Sequence, residues 1–200
     1  MHVGESREEM ELLATGGGPW RTLLATLKAL DPRWQAPGCG PIEYLDRLGF
    51  MDHRVLAVHG VQLDPGDLER LAASGATLVT CPRSNGFTGV GPPPVSAFYR
   101  SGVAVAVGTD SLASVPDLNL FGELAALRSI APGILAGRLI ESATRVGARA
   151  LGFEDEYGTI EPGKRAALIT VEVPAGVVDV EEYLLSGIQP GQVQWVSTTS

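Results

Sequence analysis

The sequence predicts an α/β chain built on a parallel sheet, and three observations carry that expectation. Residues 55–58, 76–80 and 103–107 are short apolar runs, too brief for helices and suited to buried strands covered on both faces. Helical patterns lie between them, so strands and helices alternate through short connections, the arrangement of parallel pairing with right-handed crossovers. Twenty-five glycines and fourteen prolines supply many turns between regular elements. These features leave a doubly wound sheet and a (β/α) barrel both open.

Taken in order, Ser6 opens a helix whose first turns carry Glu8, Glu9 and Glu11, where the helix dipole favours negative charge, and Gly16-Gly17-Gly18-Pro19 stops it. Trp20, Leu23, Leu24, Leu27 and Leu30 make a one-sided stripe on a second helix that ends at Asp31-Pro32. Residues 38–41 are loop, and Ile42, Leu45 and Leu48 form a short amphipathic helix before Gly49. After the first strand, Asp64-Pro65 starts a helix with Leu68, Leu71 and Ala72 inward and Gly75 as its stop. Residues 81–94 read as a long loop, and 95–101 as a short helix ahead of the third strand. Helices follow over 118–130 and 134–151. From Tyr157 the rhythm changes to turn chemistry and two short strands, 167–171 and 193–196, so a boundary near Gly158 divides the chain into 1–157 and 158–200.

Composition excludes several classes. With 44% hydrophobic and 19% charged residues, the chain can bury a core. No apolar run approaches the roughly 18 to 20 residues of a membrane span, and the first dozen residues are acidic where a secretory signal is basic and then apolar. A cytoplasmic protein is expected. A net charge of -8 with no Lys/Arg cluster argues against nucleic acid. Cys39 and Cys81 lack paired spacing, so neither a disulfide framework nor a four-thiolate zinc site is available.

His59, the 81–85 segment and Asp110 each sit just past the C-terminal end of a strand, where parallel architectures gather their active sites. His59 caps an apolar strand; the competing reading is a histidine satisfied by a backbone carbonyl. Asp110 follows a buried strand, where a charge needs a partner or a metal; the competing reading is an N-cap for the next helix. His2 and Glu5, three residues apart, can present an imidazole and a carboxylate to one point, unless the terminus is simply frayed. His53, between Asp52 and Arg54, reads as ordinary surface. Gly89-Val90-Gly91 precedes three prolines, so no helix N-terminus begins there to hold a pyrophosphate and a dinucleotide fold is disfavoured.

The ordered series His2-Val3-Gly4-Glu5, His59, Cys81-Pro82-Arg83-Ser84-Asn85 and Gly108-Thr109-Asp110-Ser111 resembles the amidohydrolase superfamily, in its deaminase and chlorohydrolase branch. Residues 158–168 resemble that branch's Gly-x-Ile-x-x-Gly-Lys-x-Ala-Asp-Leu signature, with Ala167 in place of the aspartate. The resemblance implies a TIM-like (β/α)8 barrel, of which this chain carries strands six to eight, and a small β segment from an accompanying sandwich. It makes His2 a metal ligand after strand five and Glu5 the proton shuttle of a His-x-x-Glu pair. His59, after strand six, orients the attacking water or the substrate and approaches the metal; Asp110, after strand eight, binds the metal and takes the water's proton. Arg83, Ser84, Asn85 and Ser111 are candidate substrate contacts, with turn capping the favoured reading of Ser84 and Asn85.

The resemblance also implies one divalent metal, zinc first and iron second, and hydrolysis of non-peptide carbon–nitrogen bonds in a small-molecule substrate, most simply deamination of an aminated heterocycle or amidine. A metal that brings a water's pKa from 15.7 to about 7 makes hydroxide available at neutral pH. Enzymes of this family bring two more ligands in a His-x-His motif, and no such pair occurs here. A complete barrel takes about 250 residues, about 200 at the least. The chain is therefore expected to be the C-terminal half of such a hydrolase and inactive as it stands, the alternative being a non-catalytic remnant, with open strand edges that favour self-association.

Overall fold

The computed structural model describes residues 1–196. Its centre is a parallel sheet in the order β1 (His2–Val3), β2 (Leu56–His59), β3 (Thr77–Thr80), β4 (Ala104–Val107). Helices α1 (Arg7–Thr15), α2 (Gly18–Thr26) and α3 (Pro41–Arg47) link the first pair, α4 (Pro65–Ser74) the second, and α5 (Pro82–Thr88) and α6 (Val95–Ser101) the third. Then come α7 (Leu120–Ile130), α8 (Ala136–Ala143) and α9 (Arg145–Ala150). The C-terminal stretch holds β5 (Ile169–Val171), α10 (Val180–Leu184), a single 3-10 turn (Pro190–Gln192) and β6 (Val193–Trp195), with β5 and β6 paired antiparallel.

The α/β alternation is as expected, but the main sheet has four strands and not three. His2 and Val3 pair with Val58 and His59, and Met1 and Val3 carbonyls accept from Val58 N and Gly60 N at 2.9 and 3.1 Å. Two residues are too few for an apolar period to register in sequence. The expected 81–94 loop contains α5: Pro82 stands in its first turn, where a missing N–H costs nothing, and Gly89 ends it with a left-handed backbone. The expected helix over 134–151 is two, broken where Thr144 leaves helical geometry at φ -128°, ψ -92°. The second helix starts at Gly18 and ends at Thr26, and the apolar stripe of Trp20, Leu23 and Leu27 lies exposed.

The strands are also not covered evenly. In register, Ala57, Leu78 and Val105 share one face and enter a single core with Leu68, Leu71, Phe98, Leu127 and Leu139 from the helices. On the alternate face Leu56, Val58 and Val79 are only half-buried. Thr77 and Ala106 on that face are buried, so both faces are covered but unevenly, which a continuous apolar run does not reveal. α10 packs on α8, and Leu185 and Ile188 just beyond it are buried. Close packing reaches the sheet's C-terminal end as well: at Gly4, φ +58°, a Cβ would lie 2.5 Å from Leu63 Cδ2.

Candidate metal centre

Parallel pairing brings the C-terminal ends of β1, β2 and β4 to one side of the sheet, and with them His2, His59 and Asp110. One ligand atom from each of these three side chains lies within 4.8 Å of the others. The imidazoles of His2 and His59 meet edge to face, with centroids 4.6 Å apart. His59 and Asp110 have left-handed backbones, φ 78° and 62°, a conformation that Lys28 alone shares among described non-glycine residues. Such geometry costs of order 1–3 kcal/mol per residue and concentrates at functional sites.

His59 is fully buried and does not meet a backbone carbonyl. Its Nδ1 faces the Asn85 side-chain amide at 3.0 Å, while Nε2 has no hydrogen-bond partner and points to the cluster. Burial, helped by His2 and opposed by Asp110, lowers its pKa to about 4, so the ring is neutral at pH 7. Asp110 is not the N-cap of the following helix, since Asn119 caps α7. Its Oδ2 accepts from Ser84 Oγ at 2.7 Å and Ser114 Oγ at 3.0 Å. Desolvation pushes Asp110 upward, but these hydroxyls and the two imidazoles outweigh it and hold the carboxyl below its ordinary range.

Glu5 sits at the rim, its Oε2 3.6 Å from His59 Nε2. Partial burial raises its pKa, opposed by His2 and reinforced by Asp110 and Glu9. The turn that carries it is gripped from α1: Gly4 N and Glu5 N donate to the two Glu9 carboxylate oxygens at 2.8 and 2.9 Å, and Glu9 N donates to Ser6 Oγ. The terminus is thus tied down.

Of the candidate substrate contacts, Ser84 and Asn85 reach the cluster's own residues. Arg83 is turned away: its guanidinium donates to Asp117 Oδ1 and to the Asn119 carbonyl, and its backbone N donates to the Glu123 carboxylate. Ser111 is exposed, its hydroxyl accepting from Ala113 N. Glu9, Ser114 and Glu123 were not foreseen. Ser6 and Glu9 form a Ser-x-x-Glu spacing that marks a helix start, and Glu123 stands on the same face of α7 as buried Leu127, an odd place for a carboxyl. Burial lifts Glu123 to about 7, against the pull of Arg83. The Cys81 thiol, raised to about 12 by burial, is no nucleophile.

Two imidazoles and a carboxylate are a donor set for a divalent ion, and a buried Nε2 without a partner aimed at that point fits one. A cavity of about 780 Å³ lies elsewhere, lined by His53, Arg54, Thr77, Ala104 and Arg149 at the opposite, N-terminal end of the strands.

Residues 1–192 match the family model described as the Amidohydrolase family. The chain belongs to that family. Among relatives of this amidohydrolase chain, an aminodeoxyfutalosine deaminase of Deinococcus radiodurans is 39% identical over 158 residues, covering 76% of this chain and 38% of the relative. A 5-methylthioadenosine/S-adenosylhomocysteine deaminase of Desulforudis audaxviator is 40% identical over 139 residues, covering 66% of this chain and 32% of that one. A solved adenosine deaminase from Xanthomonas campestris with bound zinc superposes with a TM-score of 0.78 at 32% identity, over 96% of this chain and 42% of that chain. The chain thus spans about two fifths of the length of such relatives. Among the described residues no helix is long and apolar enough to cross a membrane.

Proposed function

We propose that this chain carries one side of the active site of a metal-dependent deaminase that hydrolyses a carbon–nitrogen bond in an aminated heterocycle. The observation that carries the reading is the convergence of His2, His59 and Asp110, two of them on left-handed backbones. In this reading β1 is the end of barrel strand five, β2 to β4 are strands six to eight, and residues from 158 onward belong to a separate β segment. The deaminase relatives and the zinc-bound adenosine deaminase support an aminated purine nucleoside as the substrate class.

His2 and Asp110 would hold the ion, zinc by donor chemistry, with His59 Nε2 as the third donor. The chemistry such an ion would supply there is a water acidic enough to be available as hydroxide at neutral pH. Asp110, ionised throughout the neutral range, accepts the proton released from water. Glu5, whose carboxyl holds its proton more tightly than usual, gives that proton to the ring nitrogen of the substrate and recovers one from the added hydroxyl as the carbonyl forms, a role typically worth a factor of about 10² to 10⁴, while the proton taken up by Asp110 goes to the departing amine. Ammonia leaves. Ser84 and Ser114 hold one Asp110 oxygen and so leave the other for the ion.

The purified chain is expected to bind about one equivalent of zinc, the stoichiometry of a single three-ligand site. Asp110→Ala is expected to abolish that uptake, and ammonia release from adenosine or 5-methylthioadenosine is expected only when the ligands and pocket wall that this chain does not carry are supplied alongside it. A protein that takes up no zinc, or whose zinc content is unchanged by Asp110→Ala, overturns the assignment.

A further inference from the structure

Helix α5 offers the cluster two adjacent side chains, and they do different work. Ser84 is a donor to Asp110. Among the described residues Asn85 is the only hydrogen-bonding side chain on the inner nitrogen of His59, and both partners are fully buried. Each also keeps one polar atom without a partner among the described residues, Oδ1 of Asn85 and Nε2 of His59. Leaving two such atoms in a sealed site is costly, typically about 1–3 kcal/mol each, so the arrangement calls for an explanation.

A neutral imidazole carries one proton, and the group facing one ring nitrogen decides which nitrogen has it. With Asn85 Nδ2 donating to Nδ1, the proton sits on Nε2 and faces Glu5 and the cluster. A half-turn of the amide exchanges Nδ2 and Oδ1 in nearly the same space. Oδ1 then accepts from Nδ1–H, and Nε2 presents a lone pair to the cluster. An amide serves both arrangements because it owns a donor and an acceptor. A carboxylate serves only the second, and an alkyl group neither.

We infer that Asn85 is a positioning residue that selects the ring tautomer of His59, holding Nε2–H in the metal-free protein and turning to free the Nε2 lone pair when a divalent cation enters the cluster. The partnerless atoms are the cost of keeping both settings open. The second setting rests on the metal-centre reading above; the first does not.

The test uses the ¹⁵N-labelled full chain, whose three histidines give a simple spectrum. Two-bond ¹H–¹⁵N correlations at pH 7 report which ring nitrogen of His59 is protonated. The metal-free protein is expected to show Nε2–H, and addition of zinc to move the proton to Nδ1. Asn85→Asp, an acceptor only, is expected to show Nδ1–H before any metal is added. Should that buried carboxylate prevent folding, Asn85→Leu keeps the volume without either hydrogen bond: it is expected to hold Nε2–H with or without zinc and to weaken zinc binding about 10- to 100-fold, the usual effect of removing a ligand's outer partner. Asn85→Asp with the tautomer of the unmutated protein, or Asn85→Leu with undiminished zinc affinity, overturns the inference. A protein in which no variant binds zinc, while the metal-free tautomers differ as stated, defeats the metal centre and leaves the selector role of Asn85 standing.

Discussion

The two ends of the same parallel sheet are built by different rules. At the N-terminal ends of the strands the chain leaves helices through Gly75 and Gly102 in left-handed caps, and charges are met at the surface, as Arg54 meets Asp52. At the C-terminal ends His59 and Asp110 take left-handed backbones beside Gly4 and Gly60, polar atoms are sealed without partners among the described residues, and burial displaces the pKa values of His59 and Glu123. One end uses glycine alone where geometry demands it. The other also accepts strain at a histidine and an aspartate, a contrast that supports the proposed site independently of any relative.

The sharpest way to break this comparison is to add the same methyl group at both ends. Gly4 and Gly102 both have positive φ, but a Cβ at Gly4 would run into Leu63, whereas at Gly102 it would meet nothing within 4 Å. Gly4→Ala is expected to cost about 2–4 kcal/mol, backbone strain plus overpacking, and Gly102→Ala only about 1–2 kcal/mol of backbone strain. Denaturant melts of the two variants check this; equal losses contradict a tightly packed C-terminal end.

A second measurement uses proton linkage. Glu123 titrates near 7 in the folded protein against an ordinary 4.5, so between those values the native state holds more protons than the unfolded chain and stability falls as pH rises. Glu123→Gln can still accept from Arg83 N but does not ionise. Its stability relative to the parent is expected to increase from pH 4.5 to 7 by up to about 1.4 kcal/mol per pH unit, then level off. A flat difference across that window would place Glu123 in solvent. The smallest effect is expected at the other end: Asp52→Ala removes an exposed ion pair with Arg54 and should leave the melting temperature unchanged within error at moderate salt.

Much of this was legible beforehand, because alternation of apolar runs and helical stripes is a local property. The helix opened by Asp64-Pro65 and closed by Gly75 is seen as read, capping residue included. What escaped depends on distance in sequence. Ser84 reaches Asp110, and Asn85 reaches His59, across 26 residues each. Their meeting requires the registers that set Val58 beside Val79 and Thr80 beside Val107, which no spacing rule contains. α5 itself was hidden by Gly86 and the glycines and prolines that follow it, and β1 by its length of two residues. Arg83 looked available because its partners Asp117 and Glu123 lie far along the chain, just before α7 and on it.

The unusual backbone at His59 and Asp110 carries a consequence for anyone improving this protein in the laboratory. A screen that rewards only resistance to heat will favour glycine at both positions, since glycine relieves the torsion at each. The winners of such a screen will be sturdier but stripped of an imidazole and a carboxylate that the proposed metal centre needs, so the selection has to include zinc uptake as a readout from its first round.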